Sequence, residues 1–329
     1  MKHSNISIFI PHVGCPHRCS FCDQRTISGT QRLPHGDDVR AVCRRALSEV
    51  SHPENAEIAF FGGSFTAIPR EYMQELLDAA KEFVGAGMFR GIRCSTRPDC
   101  IDAEVLGILA ESGVTAIELG AQSMSDKVLE MNERGHTAAD VENASRLIRE
   151  YGFELGLQMM TGLYMSSLRD EMETARRIIE IKPDTVRIYP VVVLKGTRLG
   201  ELCEQREYEL MPFEEMVRFC AELIRCFTDS GISVIKCGLH ASEFVEADMV
   251  GGYYHPAFRE LCEMHIYRRR IEELCMGLSG DVTIEVNDRC ISRAVGQKRA
   301  NTTYFMEKGI NLIIVGNSEI PIYGCKLRR

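Results

Sequence analysis

An α/β fold, a partial (β/α)6 TIM-like barrel with a small C-terminal α+β extension, is what this sequence of 329 residues predicts. Three observations carry that reading. Short apolar β-type runs alternate with amphipathic helical patterns along most of the chain, the signature of a parallel sheet with crossover helices. The alternation repeats about six times, too few for a closed eight-fold barrel. Glycines and polar residues cluster just after the strand candidates, where such folds hold their ligands.

The first run, Ile6-Ser7-Ile8-Phe9-Ile10, reads as a strand, and further strands are expected at 57–61, 91–95, 115–119, 153–159, 184–189 and 232–237. Helical patterns lie near 36–50, 69–83, 102–112, 125–133, 137–151, 167–181 and 212–230. In the third of these, apolar positions 105, 106, 109 and 110 recur as one helix face does. Pro98 stops the third strand, and Thr137 is placed to cap the helix that follows it. A boundary is expected at residue 250, dividing a barrel over 1–250 from a smaller unit over 251–329. Gly251-Gly252-Tyr253-Tyr254-His255-Pro256 reads as a loop; a helix at 257–276, a strand at 282–286, a helix at 289–308 and a strand at 311–315 follow.

Composition narrows the class. An apolar share of 45% and a charged share of 26% are ordinary for a globular protein. No apolar run approaches the ~20 residues that span a bilayer. Met1-Lys2-His3-Ser4-Asn5 leads into too few apolar residues for a signal-peptide core, so a cytoplasmic protein without a membrane partner is expected. Fourteen cysteines without paired spacing fit reduced thiols better than a disulfide framework. The net charge of −8 argues against a generally polyanion-binding surface, but residues 251–329 hold 12 of the 39 basic and 9 of the 47 acidic residues. Arg268-Arg269-Arg270, Arg293, Lys298-Arg299, Lys326, Arg328 and Arg329 read either as solvated surface or as a nucleic-acid footprint.

The stretch Gly14-Cys15-Pro16-His17-Arg18-Cys19-Ser20-Phe21-Cys22 spaces three cysteines as C-x3-C-x2-C, on a loop leaving the first strand. Thiolates this close in sequence can converge on one soft-metal centre. Three ligands for a four-iron cluster leave one iron without a protein ligand, and an open coordination site is where a metal centre does chemistry. A zinc site with His12 or His17 as fourth ligand, or three thiols incidental among fourteen, are the other readings of that spacing. After the second strand, Gly62-Gly63-Ser64 either lets a ligand approach the backbone or makes a tight turn. Later strands end in Ser95-Thr96-Arg97, in Glu118-Leu119-Gly120-Ala121-Gln122-Ser123, in Gln158-Met159-Met160 and in Arg187-Ile188-Tyr189-Pro190. A structural role explains any one of these equally well; at successive strand ends they are expected to line a common pocket.

With Phe21 before its third cysteine, the loop resembles that of the radical S-adenosylmethionine (radical-SAM) superfamily, C-x3-C-x-aromatic-C. Thr96-Arg97-Pro98-Asp99, Glu118 to Ser123, Arg134-Gly135-His136-Thr137 and Ile188-Tyr189-Pro190 with Lys195-Gly196-Thr197 extend the likeness over residues 5–230. There the chain resembles the radical-SAM core of the Elongator catalytic subunit and, more distantly, oxygen-independent coproporphyrinogen oxidase. The resemblance implies a barrel of the radical-SAM type in which Cys15, Cys19 and Cys22 ligate a 4Fe-4S cluster. It implies that S-adenosylmethionine (SAM) chelates the fourth iron and is cleaved, by an electron from a donor such as flavodoxin or ferredoxin, to methionine and a 5′-deoxyadenosyl radical. Phe21, Gly62, Gly63, Ser64, Ser95, Gln122, Arg134 and Gln158 would bind the cofactor. Gly62 and Gly63 would meet its methionine moiety, Gln122 and Arg134 its ribose and carboxylate, and Ser64 stands where the family carries an acidic residue. The Elongator likeness and the basic C-terminal clusters imply modification of tRNA or other RNA. The alternatives are a small porphyrin-like substrate, with His240 and His255 in acid–base roles, and a non-catalytic cluster or haem carrier. Elongator-type proteins continue into an acetyltransferase domain, which is not expected within these 329 residues.

Overall fold

Each strand run of the N-terminal 250 residues joins one parallel sheet. The computed structural model describes residues 4–10, 13, 15, 18–23, 26, 27 and 32–328; His12, His17 and Arg329 lie outside the described residues. The strands are β1 (Ser4–Ile10), β2 (Ala56–Gly62), β3 (Gly91–Thr96), β4 (Val114–Gln122), β5 (Glu154–Thr161), β6 (Thr185–Pro190) and, past a short β7 (Val192–Leu194), β8 (Ser233–Cys237). The sheet runs in the order β1-β2-β3-β4-β5-β6-β8, every neighbouring pair parallel, with β1 and β8 at its two edges among the described residues. Six helical crossovers join these seven strands: α1 (Gly36–Glu49), α2 (Arg70–Lys81), α3 (Ala103–Glu111), α4 (Asp126–Met131) with α5 (Ala138–Glu150), α6 (Leu168–Ile181), and α7 (Arg198–Glu204) with α8 (Phe213–Asp229). This is the expected partial barrel, with the run at 232–237 as the strand that follows the sixth unit.

The helices form where the apolar stripes and caps place them. Along α8, Met216, Phe219, Cys220, Leu223 and Phe227 are buried, a single face at helical period. Thr137 caps α5 as expected: its side chain accepts from the Asp140 N–H at 3.3 Å, and the Asp140 carboxylate accepts from the Thr137 N–H at 2.7 Å. Ser167 and Asp170 repeat the arrangement at α6.

Strand alternation sorts the two sides of the sheet. In β1, Ile8 and Ile10 enter the core against the helices, while Asn5, Ser7 and Phe9 face the inside of the barrel. Further round, that inside is charged. Arg93 on β3, 2% exposed, donates to Glu57 of β2 at 2.8 Å, Glu118 of β4 at 3.2 Å and Glu154 of β5 at 2.7 Å. Arg187 of β6 donates to Glu118 at 2.8 Å, and Thr115 to Glu57 at 2.8 Å. Five strands are thus tied together by side chains as well as by backbone.

The rest of the chain packs on the last crossover. After α9 (Glu243–Asp248), β9 (Met249–Gly252) pairs antiparallel with β7. Then come α10 (Phe258–Leu274), β10 (Gly280–Val286), α11 (Ile291–Val295), α12 (Ala300–Glu307), β11 (Ile310–Gly316) and β12 (Cys325–Leu327), whose strands form a sheet in the order β11-β10-β12. One continuous apolar core runs from Ile8 to Tyr323, with α10 packed on α8.

Two local expectations change. Gly251 and Gly252 belong to β9 rather than to a loop: Gly252 has φ of +93°, and a Cβ there would lie 2.5 Å from the Val191 carbonyl. The helix expected at 289–308 is broken by left-handed backbone at Gly296, Lys298 and Arg299. At Gly296 a Cβ would also strike Met264 at 2.7 Å.

His136, 5% exposed, sits under the end of β4 with Nε2 donating to the Ala121 carbonyl at 3.2 Å. Burial, reinforced by the neighbouring Arg134 cation, pushes its imidazole down to about 4. The unfolded chain therefore takes up the proton first. His136 contributes its stability in full above the unfolded value near 6.5, and loses it as pH falls from there to 4.

Two stability measurements follow. Replacing Arg93 with Met takes the shared cation from Glu57, Glu118 and Glu154, the first two of them buried, and should cost about 3–5 kcal/mol in urea unfolding, with the denaturant slope unchanged; a loss under about 1 kcal/mol would show that the network does not hold the sheet. Between pH 7 and 4 the native protein should lose about 3 kcal/mol more stability than His136→Asn. Equal pH slopes for the two proteins would contradict a buried neutral imidazole.

Candidate functional site

The carboxyl ends of the barrel strands open into a cavity of about 390 Å³. Every site residue expected from the sequence lines it: Cys15, Cys19, Phe21, Cys22, Gly62, Gly63, Ser64, Ser95, Gln122, Arg134 and Gln158.

The cysteine loop is held from outside. The Ser20 N–H donates to the Asn132 carbonyl at 3.2 Å, and its hydroxyl donates to Asn132 Oδ1 at 2.9 Å. Asn132, at 0% exposure, donates in turn to the Val128 and Tyr164 carbonyls at 2.8 and 2.9 Å. The Leu199 N–H donates to the Ser20 carbonyl at 2.8 Å, so α4 and α7 both grip the loop. Asn132 carried no signal in the sequence, because its partners are 112 and 32 residues away.

The loop and the end of β2 meet at two glycines. Gly62 has φ of +114°, and a Cβ on it would lie 2.6 Å from the Ile10 carbonyl. On Gly63 a Cβ would come within 2.9 Å of the Val13 carbonyl and 3.5 Å of Cys15 Sγ. Cys15 Sγ lies 3.9 Å from Ser64 Oγ.

On the facing wall, Arg134 Nη1 reaches Cys19 Sγ at 3.1 Å and Nη2 donates to the Gly120 carbonyl at 2.7 Å. Its Nε is buried without a partner among the described residues. The register of β4 against β5 slips between Gly120 and Gln122, a bulge that leaves Gln122 at φ +65°, an uncommon conformation for a side-chain-bearing residue. Gln158 Nε2 donates to Gln122 Oε1 at 3.1 Å. Gly120 makes room for both neighbours: a Cβ there would lie 2.8 Å from Gln122 Nε2 and 3.3 Å from Arg134 Nη2.

Among the described residues the wall is cationic, with Arg18, Arg97, Arg134, Arg187 and Lys236 against Glu118 alone. Three thiols, a glycine cradle and surplus positive charge suit a thiolate-bound iron–sulfur centre, whose net charge is negative. Among the described residues, no three Cys, His, Asp or Glu side chains are gathered tightly enough to form a metal site by themselves. The thiols share a cavity rather than a point.

The sequence reading did not single out the half of the cavity built by Phe9, Ile27, Phe61, Lys236 and Leu239. Alternation in β1 was the available signal for Phe9. Of the two histidines considered, His240 lines the cavity, whereas His255 serves a local turn, its Nδ1 accepting from the Ala257 N–H at 3.0 Å. The basic clusters separate as well. Arg268 donates to Asn301 at 2.9 Å and lies over the Tyr304 ring, and Arg293 pairs with Glu263 at 2.9 Å. Arg269 and Arg270 instead line a groove between α8 and α10 with Arg218, Arg225, His265, Glu222 and Glu273. Among the described residues none of those four arginines forms an ion pair.

Comparison with known proteins agrees with this geometry. The Radical SAM superfamily matches residues 9–178 and the Radical_SAM C-terminal domain residues 183–268. Uncharacterized protein MJ0486 of Methanocaldococcus jannaschii is 30% identical over 228 residues, 64% of this chain and 68% of the relative. The tRNA uridine(34) acetyltransferase of the same organism is 30% identical over 52% of this chain, and human Elongator complex protein 3 is 27% identical over 54%; each match spans 36% of the relative's length. Among solved structures, the archaeal Methanocaldococcus infernus Elp3 superposes with a TM-score of 0.57 at 20% identity, covering 74% of this chain and 61% of that one. Methylornithine synthase gives 0.51 at 16% identity, covering 84% and 82%. The chain belongs to the radical SAM superfamily, as an enzyme with an Elongator-like core whose cofactors are a 4Fe-4S cluster and SAM.

Proposed function

We propose that Cys15, Cys19 and Cys22 hold the 4Fe-4S cluster, that SAM binds beside it in the same cavity, and that the enzyme modifies tRNA or another RNA. The observation that carries the cofactor assignment is the convergence of the cysteine loop, the Gly62-Gly63 cradle and the Gln122–Arg134 wall on one cavity. When bound by Cys15, Cys19 and Cys22, the cluster would supply one electron, received from an external donor, for the reductive cleavage of SAM.

The chain's own residues prepare that chemistry. Gly62 and Gly63 leave room for the methionine end, with the Ser64 hydroxyl as a neutral acceptor for its amino group. The unpartnered Nε of Arg134 offers a charge-assisted hydrogen bond to its carboxylate. The linked amides of Gln122 and Gln158, with the Ser95 hydroxyl, face the ribose, and Phe21 supplies an apolar wall. Val192 and Leu194 of β7 line the cavity and pack with Val245 of α9, an apolar border that would limit water beside the cofactor. An electron donor of the flavodoxin or ferredoxin type, and a cytoplasmic setting in which the fourteen free cysteines stay reduced, complete the reading.

RNA as substrate is supported by the relatives named for tRNA uridine acetylation and by the arginine groove between α8 and α10. The unit 251–329 contributes Arg269 and Arg270 to that groove and is proposed as part of the substrate-binding surface.

Reconstituted protein given SAM and dithionite should release 5′-deoxyadenosine, and Cys19→Ala should lose both cluster iron and at least about a hundredfold of that release. Unchanged iron content and turnover in Cys19→Ala would remove the cluster assignment. In a filter-binding titration of tRNA, the Arg218→Ala, Arg225→Ala, Arg269→Ala triple variant should bind at least about tenfold more weakly, with the salt slope reduced by about three. An unchanged slope would take the groove out of the RNA interface.

A further inference from the structure

The part of the cavity bordered by β1 and β8 contains a cation that the fold does not use. We propose that Lys236 anchors an oxyanion of the substrate, a phosphate or a carboxylate, next to an apolar aromatic floor made by Phe9 and Phe61. The proposal rests on the radical-SAM reading of this cavity and adds the substrate end to it.

Strand register is the first argument. β6 pairs with β8 as Thr185↔Ser233 and Val186↔Val234, but the next pair is Arg187↔Lys236. Ile235 is the extra residue of a β-bulge, and it is 36% exposed. In a regular strand Lys236 would share a face with Val234, which is buried against the helices. The bulge reverses that parity and brings Lys236 to the cavity beside Arg187.

Charge is the second. Two cations side by side repel, and here only one is neutralised. Arg187 is bound to Glu118 and lies 4.9 Å above the Phe61 ring. Arg259, the other cation near Lys236, is paired with Glu263 at 2.9 Å. Lys236 is half-buried and has neither a carboxylate nor a hydrogen-bond acceptor among the described residues. Burial and then the Arg187 and Arg259 charges push its ammonium below the usual lysine range. A residue needed only to fill this space would carry no charge, since desolvating an unpaired ammonium is unfavourable.

The surroundings give the shape of the ligand. Phe9 lies 6.3 Å from Phe61 and 6.3 Å from His240, ring centre to ring centre, its plane 29° from the imidazole. Ile27, Leu239, Val192 and Leu194 close the space around them. An apolar or planar group on the phenyl rings, with an oxyanion at Lys236, fits this half of the cavity, while the cofactor contacts come from the cysteine loop and β2–β5.

The test is calorimetric titration of the reconstituted, SAM-loaded holoenzyme with uridine 5′-monophosphate, benzoate and uridine, which separate phosphate, carboxylate and neutral ligand. At least one anion should bind about tenfold or more tightly than uridine. Lys236→Met should lose about tenfold or more of that affinity and about one unit of salt slope, and Lys236→Arg should stay within about threefold of wild type. Equal melting temperatures would show that both variants are folded. Anion binding unchanged in Lys236→Met, or no binding of either anion by the wild-type holoenzyme, would overturn the proposal. SAM binding and 5′-deoxyadenosine release are measured on the same wild-type preparation. Their loss with Lys236-dependent anion binding intact rejects the radical-SAM reading alone, and the reverse pattern rejects the anion anchor alone.

Discussion

Arg93 is the interaction on which the barrel is built, because it places a full charge at 2% exposure and surrounds it with carboxylates from three other strands. An apolar interior would let a sheet of this size collapse on itself, as small barrels do when packed layers of branched side chains fill them. Here Glu57, Glu118 and Glu154 accept from Arg93, Arg187 shares Glu118, and Arg90 reaches Glu154 from the rim at 3.5 Å. Three cations and three carboxylates make that set neutral. Ion pairs of this kind add little net stability over an apolar core, but an unpaired member is very unfavourable, so the strands are held in one register. The charge balance also isolates Lys236: Glu118, the one carboxylate among the described residues that line the cavity, is held by Arg93 and Arg187.

The site depends on departures from regular geometry. A bulge before Gln122 and a left-handed backbone at that residue turn its amide toward Gln158 and the cavity. A second bulge at Ile235 turns Lys236 inward. Gly62, Gly63 and Gly120 each stand where a Cβ would meet a carbonyl or a functional side chain at 2.9 Å or less. Such features lower stability locally and persist only where the surroundings over-determine them, which the Arg93 network and the apolar core provide. The same rigidity serves the loop of Cys19, fixed by hydrogen bonds with Asn132 and Leu199.

Much of this was legible in the sequence. The strands show because β-branched runs alternate with helical stripes, and the cap at Thr137 shows because its partner lies three residues on. The cysteine loop and its companions show because ligand spacing is local. What was not legible depends on distant partners or on parity. The β7–β9 ribbon joins residues nearly sixty apart, and the expected helix at 289–308 gives way where Gly296 must avoid Met264. Counting by twos along β8 puts Lys236 on the wrong face, because only the pairing with β6 reveals the bulge. The boundary expected at residue 250 falls in β9, which is paired back to the barrel through β7.

Charge shows the same difference between order in sequence and order in space. Arg268, Arg269 and Arg270 are adjacent in the chain, yet a helix turns about 100° per residue and sends Arg268 to Asn301 and Tyr304. Arg269 and Arg270 join Arg218 and Arg225, seven residues apart on one face of α8. A chain of net charge −8 thereby carries positive potential at two scales, an open groove between helices and a single ammonium inside the cavity. Salt screens exposed charges over about 8 Å at physiological ionic strength and screens partly buried ones much less. The groove can gather a polyanion and release it as ionic strength rises. Lys236 is placed to discriminate among whatever reaches the cavity, because an anion there meets a half-buried ammonium that no side chain among the described residues has neutralised.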